Sequence, residues 1–205
     1  MVIRKSRKNY YVMGIVVTIL LLFGMMICST KPVFAASKRT EAVKAYKKFI
    51  SGSTFKWNNS VTFKSEDCSF ALVYVDNDSI PELLVMGGST FHAAGHEKLY
   101  TYKNGKVKLV YTGIDGLGYY KKTGIFYSIR YSQMEVREYL KLSGSSSKTL
   151  LKKTYRNGWS YYDKNEKKIS KSIFNKKLKS YTKGKKAVKT NYHRNTAYNR
   201  AKYLK

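Results

Sequence analysis

Three carboxylates, Asp76, Asp78 and Glu82, stand within seven residues of a chain that carries 40 Lys and Arg against 12 Asp and Glu. Oxygen donors at alternate positions of a tight turn are what a hard cation such as calcium requires. The turn converges the carboxylates, and backbone carbonyls complete the shell. The same residues also have a purely local use, in which Asp76 and Asp78 accept hydrogen bonds from the turn's own backbone and Pro81 fixes its exit. Both readings stand at this point. Acid–base catalysis is served less well. Asp76, Asp78, Glu82 and His96 are the candidate acid or base groups, but nothing joins a nucleophile to its base. Nor does one turn place two carboxylates across a substrate, as glycoside hydrolysis demands. His92 and His96 have the four-residue spacing of a helical zinc pair, with Glu97 adjacent. The intervening Ala93-Ala94-Gly95 and the loop-like flanks argue for a mobile loop instead.

The second available chemistry is cationic. A formal net charge of +28 implies self-repulsion and attraction to polyanions. Lys171, Lys176, Lys177 and Lys179 fall on the polar side of an expected helix, and Lys185, Lys186, Arg194 and Arg200 follow it. These eight are the candidate polyanion-binding residues, although an ordinary solvated face has the same composition. Upstream, Lys or Arg alternates with Tyr along expected strands, a pattern suited to stacking on bases or sugar rings beside anionic groups. Any half-buried strand of a basic protein shares that pattern. The composition favours a non-catalytic, monomeric exported protein held electrostatically on an anionic cell-surface polymer, such as the producer's own cell wall. A weak calcium-binding module, a hydrolase and a cationic protein acting on membranes are the alternatives.

The acidic turn needs a frame, and the runs 70–75 and 83–86 have the length and Val, Leu and Tyr content of buried strands. From residue 70 to 88 the chain reads FALVYVDNDSIPELLVMGG. This resembles the motif Asp-x-Asp-x-Asp-Gly-x-Pro-Glu-Leu of uncharacterised secreted proteins of clostridial Gram-positive bacteria. More distantly, it resembles the calcium hairpins of FG-GAP and VCBS repeats. Aligned on Pro81-Glu82-Leu83, the motif's second and third aspartates fall on Asp76 and Asp78 and its glutamate on Glu82. Tyr74 stands at its first aspartate and Ser79 at its glycine. The resemblance therefore implies a calcium-type loop short of one charged ligand. Asn195, Thr196, Asn199 and Arg200 resemble the ends of the same secreted proteins, so the likeness spans roughly residues 69–205. No second copy of the turn occurs, which argues against a repeat propeller.

Arg4, Lys5, Arg7 and Lys8 precede an apolar run at 12–27, and Val33-Phe34-Ala35 supplies a small residue after it. That order is a secretory signal peptide, cleaved near Ala35-Ala36. The apolar run falls short of the roughly 20 residues of a spanning helix, and an uncleaved anchor is the alternative. Removing 35 of the 205 residues takes Cys28 and five cations, leaving 170 residues with a net charge of +23. Such a chain is long enough for one domain with a core. Cys68 is then the sole cysteine, so no internal disulfide forms, and it reads as a small buried apolar residue rather than a reactive thiol.

Ala42, Val43, Tyr46, Phe49 and Ile50 recur at helical spacing before Ser51-Gly52 and predict a helix of about three turns. Strand character is expected at 61–63. Asn104-Gly105 predicts a tight hairpin with Lys103 opposite Lys106, Tyr102 opposite Val107 and Tyr100 opposite Leu109. The glycine-rich stretch 113–124 reads as loop, with strands following at 125–131, 135–142, 149–156 and 159–162. A longer hairpin loop is expected at 143–148, and a second turn at Asn157-Gly158. Ser170 caps a helix carrying Ile173, Phe174, Leu178 and Tyr181 and closed by Gly184. The fold class is α+β, mainly β: an antiparallel meander or partial barrel flanked by an N-terminal and a C-terminal helix. Residues 36–182 form the single β-rich domain, and 183–205 a basic tail, either a docking helix or a disordered polybasic arm.

Overall fold

The computed structural model describes residues 30–52, 54–57, 62–87, 96–114 and 116–205. The basic and apolar parts of the expected signal segment lie outside them, as does His92. Helix α1 (Thr30–Phe49) is 20 residues long, so the expected three turns are only its second half. Residues 33–48 contain neither Gly nor Pro, and nothing in them stops a helix. No helix among the described residues is long and apolar enough to cross a membrane. Residues 39–205 form one contact unit, and the layers below belong to it.

The first sheet is a meander of β3 (Ser69–Val73), β4 (Glu82–Gly87), β5 (His96–Lys103) and β6 (Lys106–Gly113). One face, through Phe70, Leu83, Val85 and Tyr100, packs on Ala42, Val43 and Tyr46 of α1. The same layer holds Phe55 and Trp57, from or beside the small hairpin of β1 (Thr54–Lys56) and β2 (Thr62–Lys64). The other face, through Ala71, Val73, Leu84, Leu99 and Val110, packs on Leu117, Phe126, Leu140 and Leu142 of a second sheet. Burial on both faces explains why the runs 70–75 and 83–86 are continuously apolar rather than alternating.

The second sheet runs in chain order through β7 (Gly116–Tyr120), β8 (Ile125–Tyr131), β9 (Glu135–Ser143), β10 (Ser146–Tyr155), β11 (Trp159–Asp163) and β12 (Lys168–Ile169). Its outer face carries Tyr120, Ile125, Tyr139 and Leu151, which are covered by Phe174 of helix α2 (Lys171–Tyr181). The fold is thus α+β, mainly β, and the meander is present. Among the described residues the sheets stay separate and close no barrel.

The β5–β6 hairpin has the three expected pairs, with Asn104 and Gly105 at φ 53° and 74°. A bulge leaves Val110 unpaired and turns it into the inter-sheet core, while Leu109 is left 47% exposed. Within the glycine-rich stretch, Gly116–Tyr120 form strand β7 rather than loop, while 121–124 are the turn that follows it. Gly118 lies directly under the Tyr127 ring, where any Cβ would collide with it. Glycine here marks a close approach, not a turn. The 143–148 loop is also shorter than expected, because Ser143 already pairs with Ser146 around Gly144 at φ 62°. Ser170 Oγ caps α2 by accepting from Ile173 N at 3.2 Å, but Ile173 itself faces solvent.

The C-terminal segment is folded in, not a disordered arm. Val188 bridges to Tyr119, and β13 (His193–Arg194) pairs with the free edge of β3. Thr196 caps helix α3 (Ala197–Tyr203), and Leu204 is buried in the core under α1.

Candidate functional site

The acidic turn joins β3 to β4 and is fixed from three sides. Lys122 N donates to Tyr74 O at 2.9 Å, and Thr123 N and Gly124 N donate to Val75 O at 2.9 and 2.7 Å. The buried Tyr46 hydroxyl donates to Pro81 O at 3.0 Å, and Arg39 Nε donates to the Tyr74 hydroxyl at 3.3 Å. The tyrosine at the place of the motif's first aspartate is therefore an arginine partner.

Within the turn, Asp76 Oδ1 accepts from Asp78 N at 3.1 Å, and Asp78 Oδ1 accepts from Ile80 N at 2.8 Å. These are side-chain turns of the expected local kind. Glu82, 1% exposed, accepts from Val75 N through Oε2 at 2.8 Å. These bonds occupy one oxygen of each carboxylate, so the local use and a cation are compatible. One oxygen from each of the three residues lies within 4.8 Å of the others. Ligands at about 2.4 Å on opposite sides of a calcium ion stand about 4.8 Å apart, so the spacing fits. Burial, then the Asp76 charge, pushes the Glu82 carboxyl up to about 8. Burial raises Asp78 to about 6, with Asp76 adding to it. Burial and the neighbouring charges thus disfavour ionising Glu82 here, a cost that a proton or a cation relieves.

His96 and Glu97 begin strand β5 rather than a helix, and as neighbours they point to opposite faces; the other member of the expected pair, His92, lies outside the described residues. His96 stacks on Trp57 at 5.4 Å. Glu97, buried between the sheets, accepts from Leu117 N of β7, and burial pushes its carboxyl up to about 7. The buried Tyr192 hydroxyl lies beside it, outside hydrogen-bonding geometry. Cys68 is buried, its thiol raised to about 11 mainly by burial, and is chemically quiet.

The eight candidate cations sit on different elements. Lys171, Lys176, Lys177 and Lys179 project from α2. Lys185 Nζ is bound to Lys121 O at 2.9 Å, and Lys186 is exposed. Arg194 and Arg200 border a separate cleft with Lys64.

A cluster that sequence reasoning missed lies on the α2 side of the second sheet, where the β9–β10–β11 register aligns Arg137 with Lys153 and Tyr155 with Trp159. The Lys153 ammonium stands 4.0 Å from the centre of the Trp159 ring, and the Arg137 guanidinium 5.7 Å from it. Tyr155 packs beside Trp159 at 5.2 Å and is largely exposed. Burial, then Arg137 and more weakly Lys171, hold Lys153 below the usual lysine range against the pull of Glu135. Strand alternation was the available signal, but it required the register across two hairpins.

In comparison with known proteins, the chain matches no family model, no curated protein and no solved structure.

Proposed function

We propose that this is a non-catalytic exported protein that associates electrostatically with an anionic cell-surface polymer. The observation that carries the reading is Lys153 held over the Trp159 ring beside Arg137, whose repulsion of Lys153 is only partly offset by its own ion pair with Glu135. An anion laid across them removes that repulsion, while Trp159 and Tyr155 add flat contact area. The chain has 40 cations for 12 carboxylates, so most of its basic residues need a counterion from outside.

The test is co-sedimentation of the full chain with purified cell walls over a salt series. Binding by counterion release weakens linearly on a double-logarithmic plot, and Lys153→Gln with Lys171→Gln lowers the slope by about 2. Undiminished retention at about 1 M salt, where screening acts beyond roughly 3 Å, overturns the reading.

A second reading, calcium binding by Asp76, Asp78 and Glu82, is supported by their 4.8 Å oxygen spacing. The two are compatible, since the turn and the Trp159 cluster use different residues.

A further inference from the structure

Arg194 and Arg200 border a cleft of about 690 Å³ with Lys64, Thr54, Ser65 and Glu66. Three cations and one carboxylate line it. Among the described residues, neither arginine is held by a carboxylate. Arg200 Nη1 donates to Asn195 O at 3.1 Å and to Asn195 Oδ1 at 2.9 Å, while Arg194 Nε donates to Glu66 O at 3.4 Å. Asn195 is itself 3% exposed, and its Nδ2 donates to Ile50 O at 2.8 Å and Ser65 O at 2.9 Å. A buried network thus fixes Arg200 through neutral acceptors, which position a guanidinium without cancelling its charge.

The wall of the cleft carries a second sign. Ser65 is 6% exposed, and its Oγ is buried with no hydrogen-bond partner among the described residues. Buried hydroxyls without partners are rare in folded proteins and call for an explanation. The atom is closed to solvent, so a ligand in the cleft would take this hydroxyl as a partner only once the side chain turns outward.

A lone carboxylate has two oxygens and one charge for these three cations. Free phosphate offers four oxygens and about two charges near neutral pH, and a phosphodiester, singly charged with two unesterified oxygens, repeats along its polymer so that neighbouring units can meet the three cations; both match the planar fork of arginine. We propose that the cleft binds a phosphate group, supplied either as free phosphate or as a phosphodiester unit of an anionic polymer. Only the polymer source rests on the function proposed above.

The experiment is calorimetric titration of the full chain with inorganic phosphate, with an oligomer of glycerol phosphate, and with polygalacturonate of matched charge. Phosphate is expected to bind. Lys64→Gln with Arg194→Gln should weaken it at least about tenfold without lowering the melting temperature, since neither residue holds Asn195. Glu66→Gln should strengthen it, and Lys106→Gln, beside the exposed turn of the β5–β6 hairpin, should leave it unchanged. Binding of the glycerol phosphate oligomer that is lost in the double variant assigns the site to a phosphodiester. Binding of inorganic phosphate alone assigns it to the free ion. If the double variant weakens the binding of neither inorganic phosphate nor the glycerol phosphate oligomer, the proposal is overturned, even where both polymers still bind through the rest of the basic surface. If phosphate binds in the cleft and no polymer is retained, the proposal stands and the polymer reading falls.

Discussion

Glu82 sits where two demands meet: it receives the Val75 N–H in a buried position and lies beside Asp76 and Asp78. The first is satisfied by an ionised or a neutral carboxyl, but the second penalises ionisation unless a cation is present. Calcium at about 1 mM should therefore raise the melting temperature of the full chain relative to EDTA. For a site of the weak extracellular class, the gain is on the order of 1 kcal/mol, or about 3 °C. Asp78→Asn, which retains an acceptor for Ile80 N, should abolish the shift. An equal shift in the variant would place calcium elsewhere, and no shift in the parent chain would make the turn structural alone. The three carboxylates were legible because their spacing is local. The burial of Glu82 was not, since a glutamate beside an apolar run normally faces solvent. Nor was the role of Tyr74, whose partner Arg39 lies 35 residues away.

Among the elements, β5 and β7 are joined across the two sheets by Glu97 and the Leu117 N–H. The folded state raises this carboxyl from 4.5 to about 7, so the folded chain binds its proton more tightly than the unfolded chain does. The Glu97 contribution to stability is then full below about pH 4.5 and is lost as pH rises towards 7. Glu97→Gln keeps an acceptor for Leu117 and has no charge to bury. Its melting temperature should vary less than that of the parent between pH 5 and 7 and exceed it at pH 8, by up to about 3 kcal/mol in stability. A variant less stable than the parent at pH 8 would show that the ionised form is favoured there. The elements themselves were mostly legible, because strand alternation, the Asn104-Gly105 turn and the Ser170 cap act over a few residues. Strand β7 was missed because Gly118 is chosen by Tyr127 on the neighbouring strand rather than by its own backbone. Residues 143–148 were likewise read as loop because Ser and Gly favour turns, whereas cross-strand pairing extends β10 to Ser146.

At the scale of the whole molecule, the C-terminal segment ties the layers together. Asn195 bonds the end of α1 to the turn before β3, β13 covers the open edge of β3, and Leu204 enters the core beneath α1. Losing the Leu204 side chain removes about 2 kcal/mol of burial, and the orphaned partners of Asn195 add about 1–3 kcal/mol. Against a typical total of about 5–15 kcal/mol, a chain ending at Lys189 should melt at much lower temperature or lose its cooperative transition, as near-ultraviolet circular dichroism would report. An unchanged transition would show that the segment merely rests on the surface. The sequence left a docking helix and a disordered arm both open here, because the segment is rich in cations and its anchoring contacts join residues far apart along the chain; the helix is the one present. The same arrangement orders events in time. Residues 69–113 emerge from the ribosome long before residue 204, yet the core under α1 lacks its last side chain until residue 204 arrives. A growing chain therefore cannot complete this layer early, and machinery that threads the polypeptide while it is still being made would meet it open.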